Sequence, residues 1–282
     1  FCTFSNDNSY EQLESIINKM SDSLSSRGPD DKGFWIDSNK GIALGHRRLS
    51  ILDLSSSGRQ PMVSNNQRYI ISFNGEIYNF KDLKTILIKK GYNFKSNTDT
   101  EVMLMSFEEW GIKDSLQRFD GMFAFALWAD NQLILARDAM GIKPLFRSNL
   151  GNSLLFGSEV KALRAHDEYK SEMDFEAIKA RIAWEYPLDA TTLFADVHQV
   201  RPGTVEVWEL VDGIPLMTSV SRFEKQVVNP ATSWNDPEGL LESFVESVKD
   251  RLMADVPVGI VISGGLYSSL VCAVAREAAQ RA

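Results

Sequence analysis

The chain has 282 residues, with 30 basic against 38 acidic side chains and a formal net charge of −8. At 44% apolar and 24% charged it has the makeup of a soluble globular protein, not of an acidic disordered tail. An acidic balance runs against nucleic-acid binding, which needs a basic face, and the length suits one large domain or two smaller ones.

The two cysteines, Cys2 and Cys272, lie near opposite ends, which is neither a disulfide framework nor a zinc spacing. A reducing cytoplasm is the expected compartment. The first twenty residues lack the pattern of a signal peptide, and the longest apolar run, 122–129, is far short of a membrane span.

In chain order, Leu13, Ile16, Ile17, Met20 and Leu24 follow helical spacing behind a Ser9/Gln12 capping box. A loop covers 26–31, and 41–51 is apolar and β-like although it holds His46, Arg47 and Arg48. A buried strand is expected at 69–73, stopped by the turn dipeptide Asn74-Gly75. Helices follow at 81–90 and from a Thr98/Glu101 capping box to Trp110-Gly111. A hairpin over 122–128 and 132–136 turns at Asp130-Asn131, with further strands at 153–157 and 204–208 and helices at 159–165 and 174–184. The stretch 211–236, with Pro215, Pro230 and Gly213 and few periodic positions, reads as a linker. Beyond it come an amphipathic helix (237–253), a buried strand (256–262), a glycine turn and a last helix (268–281), the opening unit of an α/β domain. Thirteen residues follow Ser269, so only the start of that domain is expected here.

Four stretches can carry chemistry. Arg48, in an apolar segment, either grips a ligand carboxylate with its planar fork or forms an internal salt bridge. Asn74 beside Gly75 offers an amide and a backbone N–H, an oxyanion hole or an ordinary turn. Asp99, in a first helical turn, either favours the helix dipole or receives an ammonium group. Ser263-Gly264-Gly265-Leu266-Tyr267-Ser268-Ser269 is a phosphate cradle or a tight β–α turn, and it is not a Walker loop because no lysine follows the glycines.

Together these stretches resemble the glutamine-dependent asparagine synthetase family. The resemblance rests on Arg27-Gly28-Pro29-Asp30, 46–51, 74–79, 98–102, 120–126, Ala136-Arg137-Asp138, 141–145, 158–163, Val256-Pro257 and 263–269, all in collinear order. It implies an α+β fold: a four-layer αββα sandwich of the N-terminal-nucleophile hydrolase class over 1–210, a linker over 211–236, and over 237–282 the first β–α unit of a truncated α/β ATP-pyrophosphatase domain. By this similarity Arg48 holds the α-carboxylate of glutamine, and Leu49, Ser50, Ile51 and Leu52 line its pocket. Asn74 and Gly75 form the oxyanion hole, Glu76 orients the substrate, and Asp99 takes the α-ammonium. Ile262, Ser263, Gly264 and Gly265 would touch ATP, and Ser268 and Ser269 its pyrophosphate. The family also implies ATP, Mg²⁺ and aspartate for the intact enzyme, no metal in the glutaminase domain, no nucleic acid and no membrane. Oligomeric state is open, a homodimer being one expectation.

Two departures stand out. The family's nucleophile is an N-terminal cysteine whose own α-amine serves as base, in a segment Cys-Gly-Ile-x-Gly-Phe. Here Phe1 matches the closing Phe of that segment, which puts the expected nucleophile upstream; Cys2 takes the role only if Phe1 is removed. The family also carries aspartate where Tyr267 stands, and a phenol of pKa ~10 is a poor Mg²⁺ ligand. The resemblance leaves two other readings: a non-catalytic glutamine-binding domain, and a relic domain of another ATP-dependent amide-forming synthetase.

Overall fold

A computed structural model describes residues 2–4 (as backbone), 9–186, 189–223 and 236–281. Two antiparallel sheets form its centre. The first is ordered β10 (Val197–Gln199), β8 (Phe146–Leu150), β9 (Ser153–Gly157), β1 (Cys2–Phe4), β3 (Ile42–Arg48) and β2 (Asp31–Asp37). The second is ordered β12 (Ile214–Arg222), β11 (Thr204–Val211), β7 (Gln132–Arg137), β6 (Gly121–Ala129), β5 (Tyr69–Ile77) and β4 (Met62–Val63).

Alternation along β5 and β6 builds the layers. Tyr69, Ile71, Phe73, Phe123, Phe125 and Leu127 pack with α2 (Phe80–Lys89) and α3 (Asp99–Arg118) through Leu83, Leu87, Met103 and Phe107. Their neighbours Ile70, Ala124, Ala126 and Trp128 face the other way, into a core shared with β3 and β9. On the far side α1 (Tyr10–Asp22) buries Leu13, Ile17 and Met20 completely, with α4 (Val160–Arg164) beside it. The result is the expected αββα sandwich. Across the sheets, Arg147 on β8 pairs with Glu206 on β11 at 2.8 Å, and Trp208 Nε1 donates to the same carboxylate.

Several expectations hold in detail. The Ser9/Gln12 box closes both ways, and Asp130 and Asn131 take the left-handed conformation that a two-residue hairpin requires. The helix begun by Thr98 breaks at Gly111 (φ 75°), then resumes to Arg118. Glu101 does not complete its box; its carboxylate instead accepts from Lys95 N, Ser96 N and Ser96 Oγ.

Others are corrected. Asn74-Gly75 is no turn: β5 pairs with β6 straight through it, Asn74 opposite Ala124 and Gly75 opposite Phe123, so tertiary pairing overrides a local turn preference. The stretch 211–236 contains β12, an edge strand hairpinned onto β11; residues 224–235 lie outside those described. The helix expected at 237–253 is α6 (Pro237–Asp250), capped by Asp236. It packs on α7 (Leu266–Arg281) through Val245, Val248, Val274 and Ala278. The expected strand 256–262 is not a strand: among the described residues it pairs with nothing, and Val261 is 94% exposed. Apolar extended backbone becomes a strand only beside a partner.

Candidate active site

A cleft of about 490 Å³ opens between the sheets at one end of the sandwich. It gathers Arg48 from the end of β3, Ile51 and Leu52 from the next loop, Asn74, Gly75 and Glu76 from β5, and Asp99 from the first turn of α3. Leu49 stands at its mouth, 56% exposed. Ser50 does not line it; its N–H is turned to Asp30 Oδ2, which corrects the expectation for that residue.

The two adjacent arginines are handled differently. Arg47 pairs with Asp22 at 2.7 Å and donates to Ser21 O. Arg48, only 8% exposed, makes no ion pair among the described residues. Its guanidinium donates to three backbone carbonyls, Nη1 to Ser55 (2.9 Å) and Nη2 to Leu52 (3.1 Å) and Asp53 (2.5 Å). A guanidinium has five N–H groups, so Nε–H and one Nη1–H remain. Gly58 permits this placement, because a Cβ there would overlap the guanidinium. The salt-bridge alternative for Arg48 is thereby removed.

Asp99 is the anionic counterpart. It is 5% exposed and also has no ion pair among the described residues. Its Oδ2 accepts from Ile77 N at 2.9 Å. Burial pushes its carboxyl up to about 6, and the nearby Glu76 charge adds to the rise. Burial also raises Glu76, while Lys143 opposes the shift; burial lowers Lys143, with Glu76 opposing. These two opposite charges, Glu76 buried and Lys143 half-buried, share the cleft wall.

The oxyanion-hole geometry follows from strand parity. N–H groups alternate between the two edges of a strand. Phe73 N and Ile77 N leave β5 on the edge away from β6, to Gln60 Oε1 (2.7 Å) and Asp99 Oδ2 (2.9 Å). Tyr78 N turns the other way, to Asp120 O. Gly75 N–H therefore points to the outer edge, between Gln60 and Asp99, and has no acceptor among the described residues. The short β4 covers only Ile70 and Ile71, so this part of the edge is open. The Asn74 side chain, on the same face as Ser72 and Glu76, likewise has no partner among the described residues. A Cβ on Gly75 would overlap Met122 O and lie 2.7 Å from Phe123 Cα.

Three lining residues went unassigned in the sequence. Gln60 braces β5 and reaches Thr100 Oγ1. His46 is held near Ser72 Oγ (3.2 Å), and burial depresses it to about 3, so it is neutral. Lys143 arrives on a loop organised by Asp138, whose carboxylate accepts from Phe123, Met140, Ile142 and Lys143 N–H groups. Arg137 locks that loop from beneath through Lys143 O and Gly141 O. The motifs Ala136-Arg137-Asp138 and 141–145 thus position the cleft wall. The backbone of Cys2 pairs with Phe156, a cleft residue; its side chain lies outside those described.

The second candidate site is more loosely built. Ser263, Gly264 and Gly265 precede α7, with Gly264 at φ 82°. Ser268 and Ser269 both donate to Gly265 O, and Ser268 Oγ lies 3.1 Å from Ser263 Oγ. Ile262 is 53% exposed and Tyr267 83%.

Comparison with known proteins bears on the family and the fold. Residues 2–213 match the model of the glutamine amidotransferase domain, and 239–282 that of asparagine synthase. Asparagine synthetase [glutamine-hydrolyzing] 3 of Bacillus subtilis is 35% identical over 271 residues, 94% of this chain and 43% of that protein. Amidase chry2 of Gibberella zeae is 34% identical, over 93% of this chain and 38% of its own length. The chain thus spans less than half of each. Among solved structures, the glutamine phosphoribosylpyrophosphate amidotransferase from B. subtilis superposes with a TM-score of 0.59 at 18% identity, covering 98% of this chain and 63% of that one, a likeness of fold. The chain belongs to the glutamine amidotransferase domain family, in its asparagine synthetase-like branch.

Proposed function

We propose that the cleft binds L-glutamine and supports hydrolysis of its side-chain amide to glutamate and ammonia. The observation that carries this reading is one buried cation and one buried anion, Arg48 and Asp99, on one cleft and each without an ion-pair partner among the described residues. A buried charge is costly unless compensated. An amino-acid zwitterion compensates both, its carboxylate on Arg48 and its ammonium on Asp99. Ile51 and Leu52 flank the substrate stem, and Glu76 and Lys143 orient it. The amide then lies toward Asn74 and Gly75 N–H, two donors for the oxyanion. A cysteine thiolate on the N-terminal side of β1 attacks the amide carbon. Ammonia leaves with a proton returned by the cysteine's α-amine, and water cleaves the thioester to glutamate.

Transfer of that ammonia to an acceptor, aspartate activated by ATP, belongs to the same reading and draws on relatives named as glutamine-hydrolysing asparagine synthetases; a cytoplasmic location and a dimeric state are further parts of the proposal. We place the amidotransferase unit before the chain's second unit at 237–282, with β12 extending the first past residue 210. The loop at Ser263, Gly264, Gly265, Ser268 and Ser269 offers neutral donors that suit phosphate. Its donor set does not fit Mg²⁺, because a phenol, Tyr267, stands among hydroxyls and no carboxylate occurs between Asp255 and Glu277. We therefore assign no adenylation step to this loop.

Glutamate release tests the reading, using a chain with a free N-terminal cysteine at the head of β1. Asn74→Ala should lower kcat by about 10²–10³-fold with little change in KM, the usual cost of one oxyanion donor. Saturable binding of glutamine without hydrolysis would instead favour a binding domain that does no chemistry.

A further inference from the structure

We propose that Asp255, in the second unit, is a positioning residue for the glutamine cleft, acting through Asp53. The inference rests on the glutamine reading above. Arg48 is oriented by carbonyls of a surface loop, those of Leu52, Asp53 and Ser55. Leu52 anchors one end of that loop on the core, but Leu54 at its tip is 57% exposed. Asp53 also sits at φ 51°, a conformation that aspartate tolerates but that needs support.

Every polar group of Asp53 is engaged. Its carbonyl receives Arg48 Nη2 at 2.5 Å. Its Oδ1 accepts from Ser55 N and Ser55 Oγ. Its Oδ2 accepts from Asn97 N at 2.8 Å, one residue before the Thr98 cap that starts the helix of Asp99. One side chain therefore ties the loop behind the cationic end of the cleft to the turn behind the anionic end. The remaining group, Asp53 N–H, donates to Asp255 Oδ2 at 2.8 Å, and Asp255 N donates back to Ile51 O at 2.9 Å.

Asp255 is exposed, and no core packing accounts for this clasp. Its approach is fixed by two neighbours: Arg251 lies 4.7 Å from the centre of the Tyr78 ring, and Met253 packs on the core beneath β5. Linkage makes the effect mutual. A ligand that draws on Arg48 and Asp99 steadies the loop and so tightens the clasp, and an intact clasp tightens the ligand.

Calorimetric titration of the 282-residue chain with L-glutamine tests the proposal, alongside amide hydrogen exchange. A solvent-exposed hydrogen bond contributes modestly, so Asp255→Ala should weaken binding by about threefold to tenfold. Asp255→Asn keeps an acceptor for Asp53 N–H and should bind within about twofold of the unaltered chain, with both variants folded by circular dichroism. Glutamine should slow exchange at the Asp53 and Asp255 amides in the unaltered and Asn chains, and not at Asp53 in the Ala chain. Unchanged affinity in Asp255→Ala, or equal losses in Ala and Asn, overturns the proposal and leaves the glutamine reading intact. Absence of glutamine binding by the unaltered chain overturns both.

Discussion

Neighbouring arginines with different surroundings give a sharp comparison. Removing Arg48 deletes the two N–H groups left for a substrate carboxylate and the charge behind them. Hydrogen bonds to charged groups are each worth about 1.5–3 kcal/mol, with losses that do not add fully. Arg48→Ala should therefore weaken glutamine binding by roughly 2–4 kcal/mol, about 30-fold to 10³-fold in Kd. Arg47 is half of an ion pair with Asp22, whose side chain is 59% exposed, and such pairs contribute about 0–1 kcal/mol. Arg47→Ala should cost a little stability and leave Kd within about twofold. Arg48→Ala also strips a donor from the carbonyls of Leu52, Asp53 and Ser55, so Arg48→Lys serves as a second variant: it retains charge but not the fork, and should fall between the two. Isothermal calorimetry on the four chains makes the measurement. Equal losses for the two alanine variants, or a larger loss for Arg47→Ala, would refute the reasoning.

Asp99 carries a pH signature. Its carboxyl, raised to about 6 in the folded chain, must ionise to hold an ammonium, so glutamine Kd should be flat above pH 7 and rise about tenfold per unit below about 6. The folded chain also binds the extra proton between about pH 4 and 6, so stability falls as pH rises through that window; Asp99→Asn should raise stability at pH 7 by about 1–3 kcal/mol in urea titration while abolishing tight binding. Gly75→Ala forces a methyl against Met122 O and Phe123, and should lower stability by about 1–3 kcal/mol and slow glutamate release. Asp138→Ala frees the buried Phe123 N–H and three part-buried ones, of Met140, Ile142 and Lys143, and should cost about 2–3 kcal/mol in the same titration.

Periodicity and caps were the legible part of the fold. The α1 stripe and the Asp130-Asn131 hairpin depend on contacts within a few residues, and local signals carry them. Edge strands were opaque: β2 and β12 are half-solvated or exposed, and their short apolar stretches at 34–36 and 214–217 do not alternate as a half-buried strand would. Apolar 256–262 misled for the converse reason, since its hydrophobicity says nothing about whether a partner strand lies alongside. At the site, a charge in an apolar or capping context made Arg48 and Asp99 candidates, and the family resemblance chose their roles. Gln60 and Lys143 could not, because their place depends on β5 pairing and on the Asp138 loop, both set by long-range contacts. Ser50 was drawn into the pocket by adjacency alone, and just past the end of β3 its N–H is bonded to Asp30 instead.

The central claim is that one cleft holds the whole glutamine zwitterion with its amide at Asn74 and Gly75. A crystal structure of the chain soaked with L-glutamine tests it most directly. The expected density places the α-carboxylate on the Arg48 Nε and Nη1 side, the ammonium within hydrogen-bond distance of Asp99, and the amide oxygen near the Asn74 amide and Gly75 N–H. Glutamine bound elsewhere, or in this cleft with Arg48 and Asp99 both left without ligand contacts, would contradict it.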